Sequence, residues 1–522
     1  MPLTSPPSPQ PRAASQELNP PASHAWLMAL AVLLWGLLNF LTLDHGHPAG
    51  GDFAQYIIHA QNLWQGLPYR HGVFVPQVPF HNYPPGFPSM LAPLLALGGV
   101  NLMLLKSLNL VFWPLTCWVL LAIFRRRLGQ GIAFYAFLFM LFCPWFFLFK
   151  QSVLSDAPFT FLVTAALWAL MNWREAGPRQ NAWLALFLAC ALASVLVRSA
   201  GVALVGAALL VMVFQRRAWG AAVLTVAVFL VALVAQKALG ASTGGYFHLL
   251  HGLMDWLGKV ALGLPSKLAK VVGFYVPVYR GGYPLVAALE ALAALPLLAL
   301  AAWGWWRRRR RLGGWDGLDA FLVLYLLMIL AWPFVEGPRL YAPVAGLLLL
   351  YFIEGLQEFF AGRRLPAWLG ALGSAKLVLM AGLALNLLNI GLLLDYNGDV
   401  ANRPADRELY AWVREHAAPG RTYVIDNPRV VALFSGQVGD KYYPDEDWAA
   451  MKVRMRARGA TWLILRRPEA SQGITSARRQ YAWLFPSDRA GAGALAKAQA
   501  DPGLKPVWSN GLYQVYGLVP GG

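Results

Sequence analysis

The sequence predicts an α-helical polytopic membrane protein of about eleven transmembrane helices, followed by a small C-terminal α/β soluble domain. Three observations predict it. Hydrophobic residues make up 58% of the 522 and charged residues only 13%, about half the usual globular share. A soluble chain could not hide that much apolar surface, whereas a bilayer can. Apolar runs of about 20 residues, the length that crosses a bilayer, recur from one end of the first 394 residues to the other. Four arginine clusters, Arg125–Arg127, Arg216–Arg217, Arg307–Arg311 and Arg363–Arg364, each follow such a run, with an even number of runs (four, two and two) from each cluster to the next. Short loops rich in Lys and Arg stay in the cytoplasm, so each cluster ends an inward span. The topology follows: the N-terminus is inside and the C-terminal region outside.

The elements can be justified in order. Residues 1–24, rich in Pro and Ser, read as a disordered cytoplasmic tail without the basic n-region or cleavage site of a signal peptide. Spans are expected at about 25–43, 101–124, 130–149, 157–173, 181–197, 199–215, 219–239, 283–305, 318–335, 339–359 and 374–394. The boundary at Arg198 is set by the parity that the arginine clusters require. External loops fill 44–100 and 240–282. In the first, Phe53, Tyr56, Ile57, Ala60 and Trp64 form an apolar stripe, expected to lie on the membrane surface. In the second, His248, Lys259, Lys267 and Lys270 interrupt apolar turns. Residues 395–522 have ordinary soluble composition, with β-like runs at Thr422–Ile425, Trp462–Leu465 and Val507–Val515 and helical stretches at Asp406–His416 and Asp447–Arg458. They read as an external α/β domain after a membrane domain spanning 25–394.

The net charge of +18 does not indicate nucleic acid, because the basic residues sit beside spans and suit orientation and contact with membrane lipids. Cys117, Cys143 and Cys190 all lie in apolar runs without metal spacing. Topology sorts the carboxylates of the membrane domain. Asp44, Asp52, Asp156, Asp255, Glu290 and Glu336 fall outside, and an external site must draw on them.

Asp52 leads that group. It follows Gly50–Gly51, directly before the amphipathic stripe, and with Gln55 it has the spacing of a helix-capping box. Tyr83–Pro84–Pro85–Gly86 is a stiffened turn able to hold His81 near Asp52. Ser155–Asp156–Ala157–Pro158 opens the fourth span, where Ser155 or Asp156 can cap the helix. Arg339-x-Tyr341-x-Pro343 opens the tenth and puts a cation on the side that should be poor in them. Its guanidinium could hold a phosphate by paired hydrogen bonds or reach lipid headgroups.

In this order, a first-loop Asp, a YPPG turn, an external SDxP and an external R-x-Y-x-P, the chain resembles the C-type (GT-C) glycosyltransferases. It is most similar to bacterial protein O-mannosyltransferase, aminoarabinose-transferase and lipopolysaccharide-core transferase enzymes (glycosyltransferase family 39-like). The resemblance implies a GT-C-like helix arrangement in a bacterial inner membrane and a sugar donor linked to a polyprenyl phosphate. The acceptor would be a lipid, glycan, protein or polymer on the periplasmic face. It maps the family's catalytic acid onto Asp52. Phe53 stands where many relatives have a second acid, so a single-carboxylate base without metal or cofactor is expected. A glycosyl phosphate leaves as an anion and needs cations rather than a general acid. Arg339 is the first choice for the phosphate, with Lys150, Arg198, Lys267, Lys270 and Arg280 as further external cations. Tyr341, Tyr83, His81 and Asp156 complete the expected substrate-binding set. A transporter or flippase is the main alternative, but no internal repeat is visible. A non-catalytic assembly subunit is a third reading.

Overall fold

A computed structural model describes residues 22–47, 51–73, 75, 83–173, 177–215, 217–241, 252–275, 284–333, 337–361, 374–394, 401–416, 422–443, 446–467 and 490–519. Its first long helix is α1 (Ala22–Leu41). Two short helices, α2 (Asp52–Gln65) and α3 (Gly86–Gly98), then precede α4 (Leu102–Leu128). The predicted span at 130–149 is two helices, α5 (Gln130–Leu141) and α6 (Pro144–Phe149), because Pro144 cannot continue the first. There follow α7 (Asp156–Trp173), α8 (Gln180–Val197), α9 (Val202–Leu210) and α10 (Trp219–Ala238). The chain turns at Arg198, whose backbone is extended at φ −148°, which is the break that charge parity required.

Helix α11 (Leu253–Tyr275) falls in the second long loop, and α12 (Pro284–Leu312), α13 (Gly317–Ala331), α14 (Ala342–Phe360) and α15 (Ser374–Leu393) complete the helical body. Each predicted span thus coincides with helix. Among the described residues, five helical segments are both long and apolar enough to cross a membrane, and several shorter ones are apolar.

The C-terminal region holds α16 (Pro404–His416), β1 (Thr422–Ile425), α17 (Pro428–Ser435), β2 (Asp440–Lys441), α18 (Trp448–Ala457), β3 (Ala460–Arg466), α19 (Ala490–Ala500), β4 (Leu504–Ser509) and β5 (Tyr513–Leu518). The strands form one sheet in the order β2-β1-β3-β5-β4. β1 runs parallel to β2 and β3, and β5 antiparallel to β3 and β4. The single run expected at Val507–Val515 is instead a hairpin, turned through Asn510, whose side chain accepts from Leu512 and Tyr513. This region is not tethered loosely. Leu409, Val413, Tyr423, Ile425 and Ile464 belong to the same buried cluster as the helices of the body.

One end of the helical body is tied by charge. The Arg127 guanidinium grips the Glu354 carboxylate with Nε at 3.0 Å and Nη2 at 3.3 Å, and reaches Asp316 at 3.2 Å. Arg308 lies 3.6 Å from Glu354. Arg127 and Arg308 belong to two of the four clusters, so those two clusters share one end. Asp52, Asp156 and Arg339 share the other.

Helix α2 departs from its expected place. Phe53, Tyr56, Ile57 and Ala60 are buried in the protein, together with Ile58 and His59. Its stripe meets α3, while Ile58 packs with Ala432 and Leu433 of α17. Of the stripe, only Trp64 stays exposed. The stripe therefore records a protein core rather than a lipid surface.

Candidate active site

Asp52 is gathered to residues from three distant stretches of chain. It is the first helical residue of α2 and not its cap. Gly51 holds the cap position without a side-chain bond, so the expected capping box with Gln55 does not form. The carboxylate is thereby free to turn elsewhere. Tyr83 Oη donates to its Oδ1 at 2.7 Å. Arg339 Nη2 donates to its Oδ2 at 3.0 Å, across 287 positions of sequence. Arg429 Nη1, from the first turn of α17, lies 3.4 Å from Oδ1 and donates to Gln55 Oε1 at 3.0 Å. The Asp52 side chain keeps 25% of its exposure and each arginine 23%, so the group is open to an incoming ligand.

The surrounding backbone explains why these side chains meet. Tyr83 is fixed at both ends, since its carbonyl accepts from Tyr69 Oη at 2.9 Å and its ring sits 4.5 Å from that of Tyr56. Gly86 does not make the sharp turn its sequence suggests, for it already lies in α3. A Cβ there would stand 2.7 Å from the Leu196 carbonyl, so its role is close approach of α3 to α8. Arg339 follows Pro338 in a single 3₁₀ turn leading into α14.

Electrostatics follow from this packing. Burial pushes the Asp52 carboxyl up, but the guanidinium groups of Arg339 and Arg429 and the Tyr83 hydrogen bond outweigh it and hold the group well below the usual carboxylate range. Burial, and then the Asp52 charge, push the Tyr83 hydroxyl well above its ordinary value. With Arg339 and Arg429 on either side, Asp52 is therefore held as a carboxylate between two cations.

Asp156 forms a neighbouring pair. Arg198 Nη1 donates to its Oδ1 at 2.7 Å, and Ser155 Oγ bonds to Tyr56 Oη at 3.0 Å. Tyr56 lies between the two carboxylates and feels both. Behind α2 runs a further chain of bonds. Gln55 Nε2 meets His59 Nε2 at 3.0 Å and His59 Nδ1 donates to the Tyr69 carbonyl at 2.6 Å, which fixes the imidazole in one neutral tautomer.

Other expected ligands are used internally. Lys150 is buried, bonded to Thr42 Oγ1 and 3.5 Å from the centre of the Phe147 ring. Lys267 donates to the carbonyls of Leu330, at 2.9 Å, and Trp332. Lys270 is buried on the same helix, and Tyr341 Oη donates to the Lys267 carbonyl at 2.9 Å, so these three anchor α11. A buried ammonium must find oxygens, and backbone carbonyls lay closest. His81 and Arg280 lie outside the described residues. Sequence reasoning missed Lys106, which is buried and bonds Asp44 Oδ1 at 3.1 Å and Gln151 Oε1 at 3.2 Å, tying the start of the first loop to α4. It also missed Arg429. The available signals were Asn427–Pro428, a helix-start pair, and Gly51, a residue without a side chain beside the principal acid.

Residues 82–238 match the family model described as dolichyl-phosphate-mannose-protein mannosyltransferase, a stretch that holds Tyr83, Asp156 and Arg198. No curated protein matches the sequence. Among solved structures, the archaeal oligosaccharyltransferase AglB from Archaeoglobus fulgidus, in complex with an inhibitory peptide and a dolichol-phosphate, is similar with a TM-score of 0.58 at 13% identity, covering 90% of this chain and 72% of that one. ArnT from Cupriavidus metallidurans bound to undecaprenyl phosphate is similar with a TM-score of 0.56 at 13% identity, covering 96% of this chain and 99% of that one. With a helical body that matches them over nearly its whole length, the chain is a polytopic membrane protein with the fold of the GT-C glycosyltransferases.

Proposed function

We propose that this protein transfers a sugar from a polyprenyl-phosphate-linked donor to a hydroxyl or amine acceptor on the external face of a bacterial inner membrane. The observation that carries the reading is the convergence of Tyr83 and Arg339 on the single carboxylate of Asp52. The similar AglB and ArnT structures hold dolichol-phosphate and undecaprenyl phosphate, which supports a lipid phosphate as the donor's leaving group. An apolar cleft lined by Phe139, Val271, Tyr275, Leu298, Leu348 and Leu379 suits a prenyl chain. Its Val271 and Tyr275 lie one and two turns from Lys267, which Tyr341 holds.

The chemistry is one displacement. The acceptor oxygen or nitrogen attacks the anomeric carbon, and the carbon–oxygen bond to phosphate breaks with its electron pair leaving on the phosphate. The acceptor's proton passes to Asp52. Arg339 offers the leaving phosphate its planar fork of donors. While clamped between cations Asp52 is a weak base. Its basicity rises as the guanidinium charge is drawn to the phosphate, so the base is strongest when the donor is in place. The acceptor can be lipid A, core glycan, protein or polymer, and the sheet-bearing region stands over the site on that side.

The test is transfer of labelled sugar from polyprenyl-phosphate donors by the purified protein in proteoliposomes. Asp52→Asn should lower turnover by ~10²–10⁴ while leaving thermal stability near that of wild type. Near-normal turnover in that variant would pass the role of base to Asp156. No transfer by the wild type from any such donor would return the protein to the transporter reading.

A further inference from the structure

The C-terminal region does more than stand over the site. Its helix α17 packs directly on α2, with α16 on its other side. Ala432 and Leu433 pack on Ile58 and Val73, and the Phe434 ring stacks on Tyr410 behind them, with centroids 5.1 Å apart. The approach is so close that a Cβ on Gly51 would lie 2.5 Å from Asn427 Oδ1 and 2.6 Å from Arg429 Nε. A side chain at position 51 would displace the Asn427 and Arg429 side chains from where they now sit. What the close approach delivers is the Arg429 guanidinium, placed on Asp52 Oδ1 and Gln55 Oε1 opposite Arg339 on Oδ2.

Two guanidinium groups from the helical body and the sheet-bearing region thus share one carboxylate. That is an unusual arrangement for one small anion. A single arginine already satisfies a carboxylate by its paired donors, and a second adds repulsion between the cations. Two arginines suit a phosphate, which carries more oxygens and more charge. Each arginine side chain keeps 23% of its exposure, so the pair is not sealed away from such a group.

We propose that Arg429 and Arg339 together form the site for the donor's lipid phosphate across the boundary between the two regions, and that Asp52 occupies this site until the phosphate displaces it. The inference rests on the donor reading above and extends it in two respects. The C-terminal region becomes a component of the catalytic site. The empty site is plugged by its own base, so the base is released only by donor binding, which protects against activation of an acceptor without a sugar to receive.

Binding of undecaprenyl phosphate to the full-length protein in detergent tests this, with neutral undecaprenol as the control for the prenyl tail. Arg429→Gln, which keeps a hydrogen-bond donor for Gln55, should weaken binding of undecaprenyl phosphate roughly tenfold to a hundredfold. Arg429→Lys should recover part of that loss, and undecaprenol binding should not change. Asp52→Asn should do the opposite and tighten undecaprenyl phosphate binding, because the internal competitor has lost its charge. A merely structural role for Asp52 would not give that gain. Wild-type binding in a folded Arg429→Gln protein overturns the inference, as does unchanged or weaker binding in Asp52→Asn. If Arg429→Gln binds normally while Arg339→Gln does not, this inference fails and the donor reading stands. If neither substitution affects binding, the donor reading fails with it.

Discussion

At the scale of single residues, the site is a study in how neighbours set charge. Asp52 and His59 lie two turns apart on α2, yet both are held in the form that their partners require. For His59, burial pushes the imidazole down to about 4, against the Tyr69 carbonyl bond that favours protonation and with Arg429 and Arg70 adding to the depression. An unfolded chain would take up this proton at about 6.5. Stability from the neutral ring is therefore complete above pH 6.5 and is lost as the pH falls toward 4, by on the order of 3 kcal/mol. Thermal unfolding in detergent between pH 7 and 4 should show this loss in wild type and a flatter profile in His59→Gln. Parallel profiles would remove His59 from the acid response. The effect matters to the site because Gln55, which Arg429 grips, also leans on His59.

At the scale of elements, close backbone approach does much of the positioning. Helices α12 and α14 cross at two glycines. A Cβ on Gly355 would stand 1.9 Å from the Leu300 carbonyl oxygen, and one on Gly304 2.2 Å from that of Tyr351. Small residues at such a crossing let membrane helices meet at their backbones. The contact keeps Glu354 within reach of Arg127 and Arg308. Because backbone cannot yield as a side chain can, Gly355→Ala should destabilise by about 1–3 kcal/mol. Gly220→Ala, which meets nothing within 4 Å, serves as the control. Thermal denaturation of both variants in detergent checks the difference, and equal stability would mean that α12 and α14 slide apart without cost.

At the scale of the whole molecule, charge separates the two ends. Arg127 and Arg308 gather with Asp316 and Glu354 at one, while Asp52, Arg339 and Arg429 gather at the other. Arg429 belongs to the C-terminal region, so that region must lie on the Asp52 side of any membrane around the helices. Reporter fusions after Arg311 and at Gly522 should accordingly give opposite sides, with Arg311 cytoplasmic by the positive-inside rule. Signals from the same side would contradict both the topology and the shared site.

Much of this architecture was legible in the sequence because it depends on local chemistry. Apolar length and arginine placement located the helices, including the turn at Arg198, since a bilayer imposes its thickness on each segment separately. Asp52, Tyr83, Arg339 and Asp156 stood out because a charged group or a stiff turn at the outer end of an apolar run is conspicuous by itself. Which of them meet was not legible. Lys150 and Lys267 look as available as Arg339 in one dimension, and only packing shows that the first two are taken up by Thr42 and by backbone carbonyls. Arg429 sits 377 positions from Asp52, in a region of ordinary soluble composition, and the Asn427–Pro428 pair before it marks only a helix start, not a partner for Asp52. Its role was decided by the docking of α17 against Gly51. That docking depends on the shapes of two surfaces, a property that belongs to the folded molecule and to no stretch of its sequence.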